Sequence, residues 1–124
     1  MKLANHITVI LAFLGLLLVS CNSHQRRIRL VIHNNHERPI DSVVVTTSTN
    51  SSRVSIGNIE PGFSREDFLD MSDEPYADGD YHVSIIAGTI TYLNNIGYFT
   101  NGSPVEKKLE IWFSRDTIRY EFEQ

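Results

Sequence analysis

Hydrophobic positions along most of the chain recur with a period of two. Ile28, Leu30 and Ile32 alternate with Arg29, Val31 and His33, so residues 27–34 predict a half-buried strand. Asn34-Asn35-His36-Glu37-Arg38-Pro39 is a turn cluster closed by a proline. Residues 41–47 (DSVVVTT) are β-branched and predict a second strand. A third covers residues 53–59, with Val54 and Ile56 on one face. The Glu60-Pro61-Gly62 turn then leads into a strand over 63–69. Residues 70–80 form an acidic loop. Tyr81, Val83 and Ile85 alternate in the next strand, Gly88 ends it, and residues 89–93 predict its hairpin partner. Residues 94–104 read as a loop rich in Asn and Gly. Leu109, Ile111 and Phe113, then Ile118, Tyr120 and Phe122 across the Ser114-Arg115-Asp116 turn, predict a terminal hairpin.

Short strands at regular spacing, without a helical period in the same region, predict an all-β domain. The expected architecture is a single antiparallel β-sandwich of about seven or eight strands. Its expected core is Ile28, Leu30, Ile32, Val43, Val45, Val54, Ile56, Tyr81, Val83, Ile85, Leu109, Ile111, Phe113, Ile118, Tyr120 and Phe122.

The first residues follow another pattern. Met1-Lys2 is a short positive start, and residues 7–19 (ITVILAFLGLLLV) are almost continuously apolar. A run of 13 residues is too short to span a bilayer as a helix, which takes about 20. A positive start, a short apolar stretch and then small residues mark a secretory signal.

The end of that segment, Leu18-Val19-Ser20-Cys21, resembles the lipobox of bacterial lipoprotein signal peptides. The resemblance implies that residues 1–20 are removed. It also implies that the Cys21 thiol carries diacylglycerol and that its new amino group is acylated. Several acyl chains anchor far more firmly than one. The expected organisation is a signal peptide over 1–20, a lipidated tether over 21–26 and a sandwich domain over 27–124. The four residues between Cys21 and Arg26, Asn22-Ser23-His24-Gln25, reach at most about 14 Å, so the domain is expected close to the bilayer. Asn22 is not the aspartate that the enterobacterial sorting pattern uses for inner-membrane retention. Residues 22–27 also lack the acidic residues that follow the cysteine in surface-exported Bacteroidota lipoproteins. The expectation is therefore the periplasmic face of the outer membrane. The whole chain is similar to small Bacteroidota lipoproteins.

Composition narrows the function. At 124 residues the chain has room for one domain. A formal net charge of -4 argues against nucleic acid as the main partner. The single cysteine excludes an internal disulfide. Asp78-Gly79-Asp80-Tyr81-His82-Val83 resembles the D-G-x-Y-x-V segment of bacterial immunoglobulin-like and transthyretin-like sandwich domains. In such domains a tyrosine holds a corner through a hydroxyl bond to nearby backbone, a role the resemblance implies for Tyr81. The Cys…Trp…Cys framework is missing, and Trp112 lies near the C-terminus.

Several residues could carry chemistry. Asp70, Asp73, Glu74, Asp78 and Asp80 offer oxygen ligands for calcium, without the EF-hand spacing. His33 and His36 beside Glu37 could bind zinc or copper if the turn curled to converge them. Tyr92, Tyr98 and Phe99 lie in or beside the Asn/Gly-rich loop and are candidate contacts for a partner protein or glycan. Asp41-Ser42-Val43 and Asp116-Thr117-Ile118 resemble the Asp-Ser/Thr-apolar signal for O-glycosylation of exported Bacteroidota proteins, which implies Ser42 and Thr117 as sites. No G-x-S-x-G elbow or Gly-rich phosphate loop occurs. The expected role is non-catalytic binding or scaffolding in the cell envelope, with no resident cofactor. A calcium- or glycan-binding module and a small envelope hydrolase are the alternatives.

Overall fold

The computed structural model describes residues 26–124. The expected signal peptide, the lipobox-like Leu18–Cys21 run and the expected tether up to Gln25 lie outside the described residues. Within them the chain forms nine strands: β1 (Arg27–Asn34), β2 (Ser42–Thr47), β3 (Arg53–Ile56), β4 (Ser64–Asp70), β5 (Gly79–Ala87), β6 (Ile90–Thr100), β7 (Ser103–Pro104), β8 (Lys108–Ser114) and β9 (Thr117–Glu123). They build two sheets, one ordered β4-β1-β8-β9 and the other β3-β2-β5-β6-β7. The sheets stack as a β-sandwich. β3 lies beside β4 at one side, and β6 beside β9 at the other.

Alternation places the core between the sheets. Ile28, Leu30 and Ile32 of β1 meet Val43 and Val45 of β2, Tyr81, Val83 and Ile85 of β5, and Leu109, Ile111 and Phe113 of β8, all buried. Val54, Ile118 and Phe122 are only partly buried against that core. Tyr120, expected inside, is 39% exposed. It points inward across from Ile111, but β9 is an edge strand whose inner side the facing sheet only partly covers. The core also takes Ile40, Ile59, Leu69, Met71, Ile96 and Phe99. Ile40 and Ile59 owe their places to an isolated bridge that ties two loops together.

Two expectations need correction. The sandwich is not wholly antiparallel, because β1 pairs in parallel with β8. A period of two says which face a residue lies on but carries no strand direction. No turn joins these two strands, so only the closed sandwich aligns them. The second correction concerns residues 94–104, which are not a loop. β6 runs through them to Thr100, and β7 pairs back onto Phe99 and Thr100.

The Asn/Gly-rich stretch hides a β-bulge. Tyr81 pairs with Ile96 and Gly79 with Phe99, so β6 carries one extra residue there. Gly97 supplies it with φ of +59°, the left-handed glycine of a G1-type bulge. The extra residue breaks strict alternation. Ile96 and Phe99, three apart, both face inward and Tyr98 faces out.

Candidate functional site

The chain enters the sandwich through Arg26, whose side chain works as a clasp. Its Nε and Nη2 donate to the Gly102 carbonyl, Nη2 also to the Glu74 carbonyl, and Nη1 to that of Ser72. Its guanidinium lies 4.9 Å from the ring centre of Tyr76, which is 79% exposed. Beside it Arg27 covers the Phe68 ring at 4.3 Å. A groove of about 430 Å³ runs past these arginines, Phe68, Pro104, Val105 and Lys107.

The five acidic residues of the 70–80 region do not converge. Glu74 is buried and accepts hydrogen bonds from Thr47, Thr49 and Ser52. Desolvation pushes its carboxyl up, but those three bonds and the Arg26 charge outweigh it and hold the group below its ordinary value. Asp70 accepts from Ser72, Asp78 from the Asn101 amide, and Asp80 pairs with His82 at 3.3 Å. Asp73 stands exposed. Among the described residues no three His, Cys, Asp or Glu side chains group as metal ligands do.

The two turn histidines also part. His33 stacks on Trp112 with ring centres 5.1 Å apart and bonds Ser64 and Glu110. His36 stacks on Phe113 and reaches Asp116 at 3.1 Å. The Tyr92 hydroxyl donates to the same carboxylate at 2.7 Å. That hydrogen bond chiefly pushes the Tyr92 phenol up and holds the Asp116 carboxyl down. Tyr92 therefore braces the β8–β9 turn, with its ring 4.9 Å from that of Phe113.

The three expected aromatic contacts are thus separated. Phe99 is fully buried against Tyr81, Tyr92 is half-buried, and Tyr98 alone stands out at 57% exposure. Tyr81 is in the core as expected, yet its hydroxyl reaches the Met71 sulfur at 3.9 Å instead of nearby backbone. Burial pushes its phenol well up. The backbone of the 70–80 segment is engaged elsewhere, Met71 with the Arg26 carbonyl and Glu74 with that of Met71. Of the two glycosylation residues, Ser42 is half-buried on β2 and Thr117 is exposed at the β8–β9 turn.

No protein-family model and no curated protein matches the chain. Its fold is similar to that of a solved NMR structure of a protein from Eubacterium rectale, with a TM-score of 0.55 over 85% of this chain and 96% of that one. The two are 8% identical, so the likeness speaks for the β-sandwich fold alone.

Two grooves flank β6, and of the residues that line them the sequence had singled out Tyr92 and Thr117 alone as candidate site residues. Leu93 is 77% exposed. A groove of about 380 Å³ crosses the outer face of β2, β5 and β6 beside it, lined by Val44, Thr46, His82, Ser84, Ile86 and Asn95. On the other side of β6 a hollow of about 500 Å³ separates it from β9, lined by Thr91, Tyr92, Asn94, Asp116, Thr117 and Ile118. From Tyr81 to Val105 the chain has no Asp, Glu, Lys or Arg. That uncharged stretch is the sequence signal that points to these grooves.

Proposed function

We propose that this protein is a lipid-anchored β-sandwich with a non-catalytic binding or scaffolding role in the bacterial envelope, on the periplasmic face of the outer membrane. The observation that carries the reading is the lipobox ending at Cys21, followed after four residues by Arg26, where the sandwich is entered. Several acyl chains there hold the chain in the bilayer, and the short tether holds the domain beside it. The open grooves flanking β6 offer surface for a partner.

Of the two sandwich types that the Asp78–Val83 motif resembles, we favour the transthyretin-like one. An immunoglobulin constant-type sandwich groups its strands ABED and CFG, so its first strand lies beside its second. Here β1 lies between β4 and β8. Lettered A to H without β7, the orders are D-A-G-H and C-B-E-F, as in transthyretin-like sandwiches.

Intact mass of the protein extracted from membranes tests the anchor. The expected species begins at Cys21 and carries diacylglycerol plus an amide-linked acyl chain. Cys21→Ala is expected to abolish the lipid mass and to prevent processing before residue 21. A water-soluble chain with a free Cys21 thiol would overturn the reading. Separation of inner and outer membranes then tests the location.

A further inference from the structure

Sheet edges expose unpaired backbone groups, and proteins blunt them with charge, proline, bulges or short length. Three of the four edges here follow that rule. β4 carries Arg65, Glu66, Asp67 and Asp70, β9 carries Arg119, Glu121 and Glu123, and β3 has four residues including Arg53. The fourth edge is blunted at one end alone, by the two-residue β7 with Pro104 and by the bulge in β6. β7 is two residues long and covers only Phe99 and Thr100, so among the described residues β6 has no strand on that side from Ile90 to its bulge, and it carries no charge.

The hairpin geometry says which groups are free. Gly88-Thr89 is a two-residue turn, with Ala87 paired to Ile90. The closing pair of such a hairpin is hydrogen-bonded, and bonded pairs then alternate with non-bonded ones. Ile90, Tyr92, Asn94 and Ile96 therefore bond β5, while Thr91, Leu93 and Asn95 aim their N–H and C=O groups away from it. The hollow toward β9 leaves room beside them.

We propose that β6 receives an extended segment of a different polypeptide as an added strand. The occupant's chemistry follows from what it meets. Its backbone would bond Thr91, Leu93 and Asn95. Alternate side chains would enter the hollow against Tyr92 and Ile118, and the others would lie beside Leu93. It would be about six residues long, with a polar or basic side chain where it faces the Asp116 carboxylate. A second copy of this chain would pair its own β6 symmetrically only in the antiparallel sense, which puts its tether at the opposite end. Two copies on short tethers in one leaflet could do so only by lying flat, whereas a segment of another chain has no such constraint. This inference rests on the anchored, partner-binding reading above.

A photo-crosslinking amino acid placed at Thr91, Leu93 or Asn95 of the full chain in its native cells tests it. The expected result is adducts to one segment of one other polypeptide, at positions spaced by two residues. Leu93→Pro removes an edge N–H that β5 does not use, so the melting temperature should hold. Crosslinking from Thr91 should then fall by about tenfold or more, while Leu93→Ala keeps most of it. Leu93→Lys, fully compatible with an exposed site, should weaken capture by placing charge on the edge. Adducts between copies of this chain, adducts scattered without strand spacing, no adduct, or capture that survives Leu93→Pro and Leu93→Lys would each overturn the proposal. The mass at Cys21 is read on the same material. Strand-spaced adducts on an unlipidated chain overturn the anchor and leave the edge. A lipidated chain without them does the reverse.

Discussion

Gly97→Ala probes the bulge that carries Phe99 into the core. Gly97 has φ of +59°, and a Cβ built there would lie 2.2 Å from Phe122 Cζ and 2.5 Å from Cε2. Left-handed backbone costs a residue with a Cβ about 1–2 kcal/mol. The Phe122 ring must also shift from its place 6.2 Å from that of Tyr81, and overpacking of this kind costs about 1–3 kcal/mol. Together these make about 2–5 kcal/mol, a fall in melting midpoint of roughly 10 °C or more for a domain of this size. The assay is thermal and urea unfolding of Gly97→Ala, Phe122→Ala and the double variant. Trimming Phe122 removes the clash, so Gly97→Ala then costs only the backbone share. The two changes should couple by about 1–3 kcal/mol, the pair costing less than the sum. A loss below about 0.5 kcal/mol for Gly97→Ala, or an equal loss in both backgrounds, refutes the reasoning.

Other outcomes follow from the buried and clasping polar groups. Because the folded Glu74 carboxyl is held below its ordinary value, it adds stability above its unfolded pKa that disappears as pH falls through the folded one. Resistance to urea should therefore weaken below about pH 4.5, and Glu74→Gln should flatten part of that decline. An identical pH profile for the variant would exclude Glu74 as a contributor. At neutral pH, Glu74→Ala strands the Thr47, Thr49 and Ser52 hydroxyls and should cost about 2–4 kcal/mol. Arg26→Lys keeps the charge but loses the planar fork across the Ser72, Glu74 and Gly102 carbonyls. The expected cost is about 1–3 kcal/mol, with faster amide exchange in residues 71–78; unchanged exchange there would mean the clasp is idle. Asp116→Asn should return the raised Tyr92 phenol toward its ordinary value, read by NMR of ring-labelled tyrosine. A phenol that stays raised would assign the shift to burial.

Alternation alone carried much of the architecture. Ile28, Leu30, Ile32, Val83, Ile85, Leu109 and Ile111 are inside because strand side chains alternate between faces, and the sequence displays that alternation directly. The resemblance of Leu18–Cys21 to a lipobox is equally local, resting on four adjacent residues and a distance from an apolar run. What required the tertiary structure was everything set by distant partners. Direction was one such property, since β1 and β8 align in parallel with no turn between them to announce it. Burial at the ends was another. Ile40 and Ile59 are covered through a loop-to-loop bridge, whereas Tyr120 has inward parity yet lacks a facing cover. The 94–104 segment shows the limit most clearly. Asn and Gly there have the composition of a loop, and only pairing with β5 makes the segment a strand. One left-handed glycine then shifts the phase, taking Phe99 from a surface contact to a core residue and leaving Tyr98 outside. The same pairing satisfied one side of β6 and left the other open, because strand edges belong to the assembled sheet and not to any residue in it.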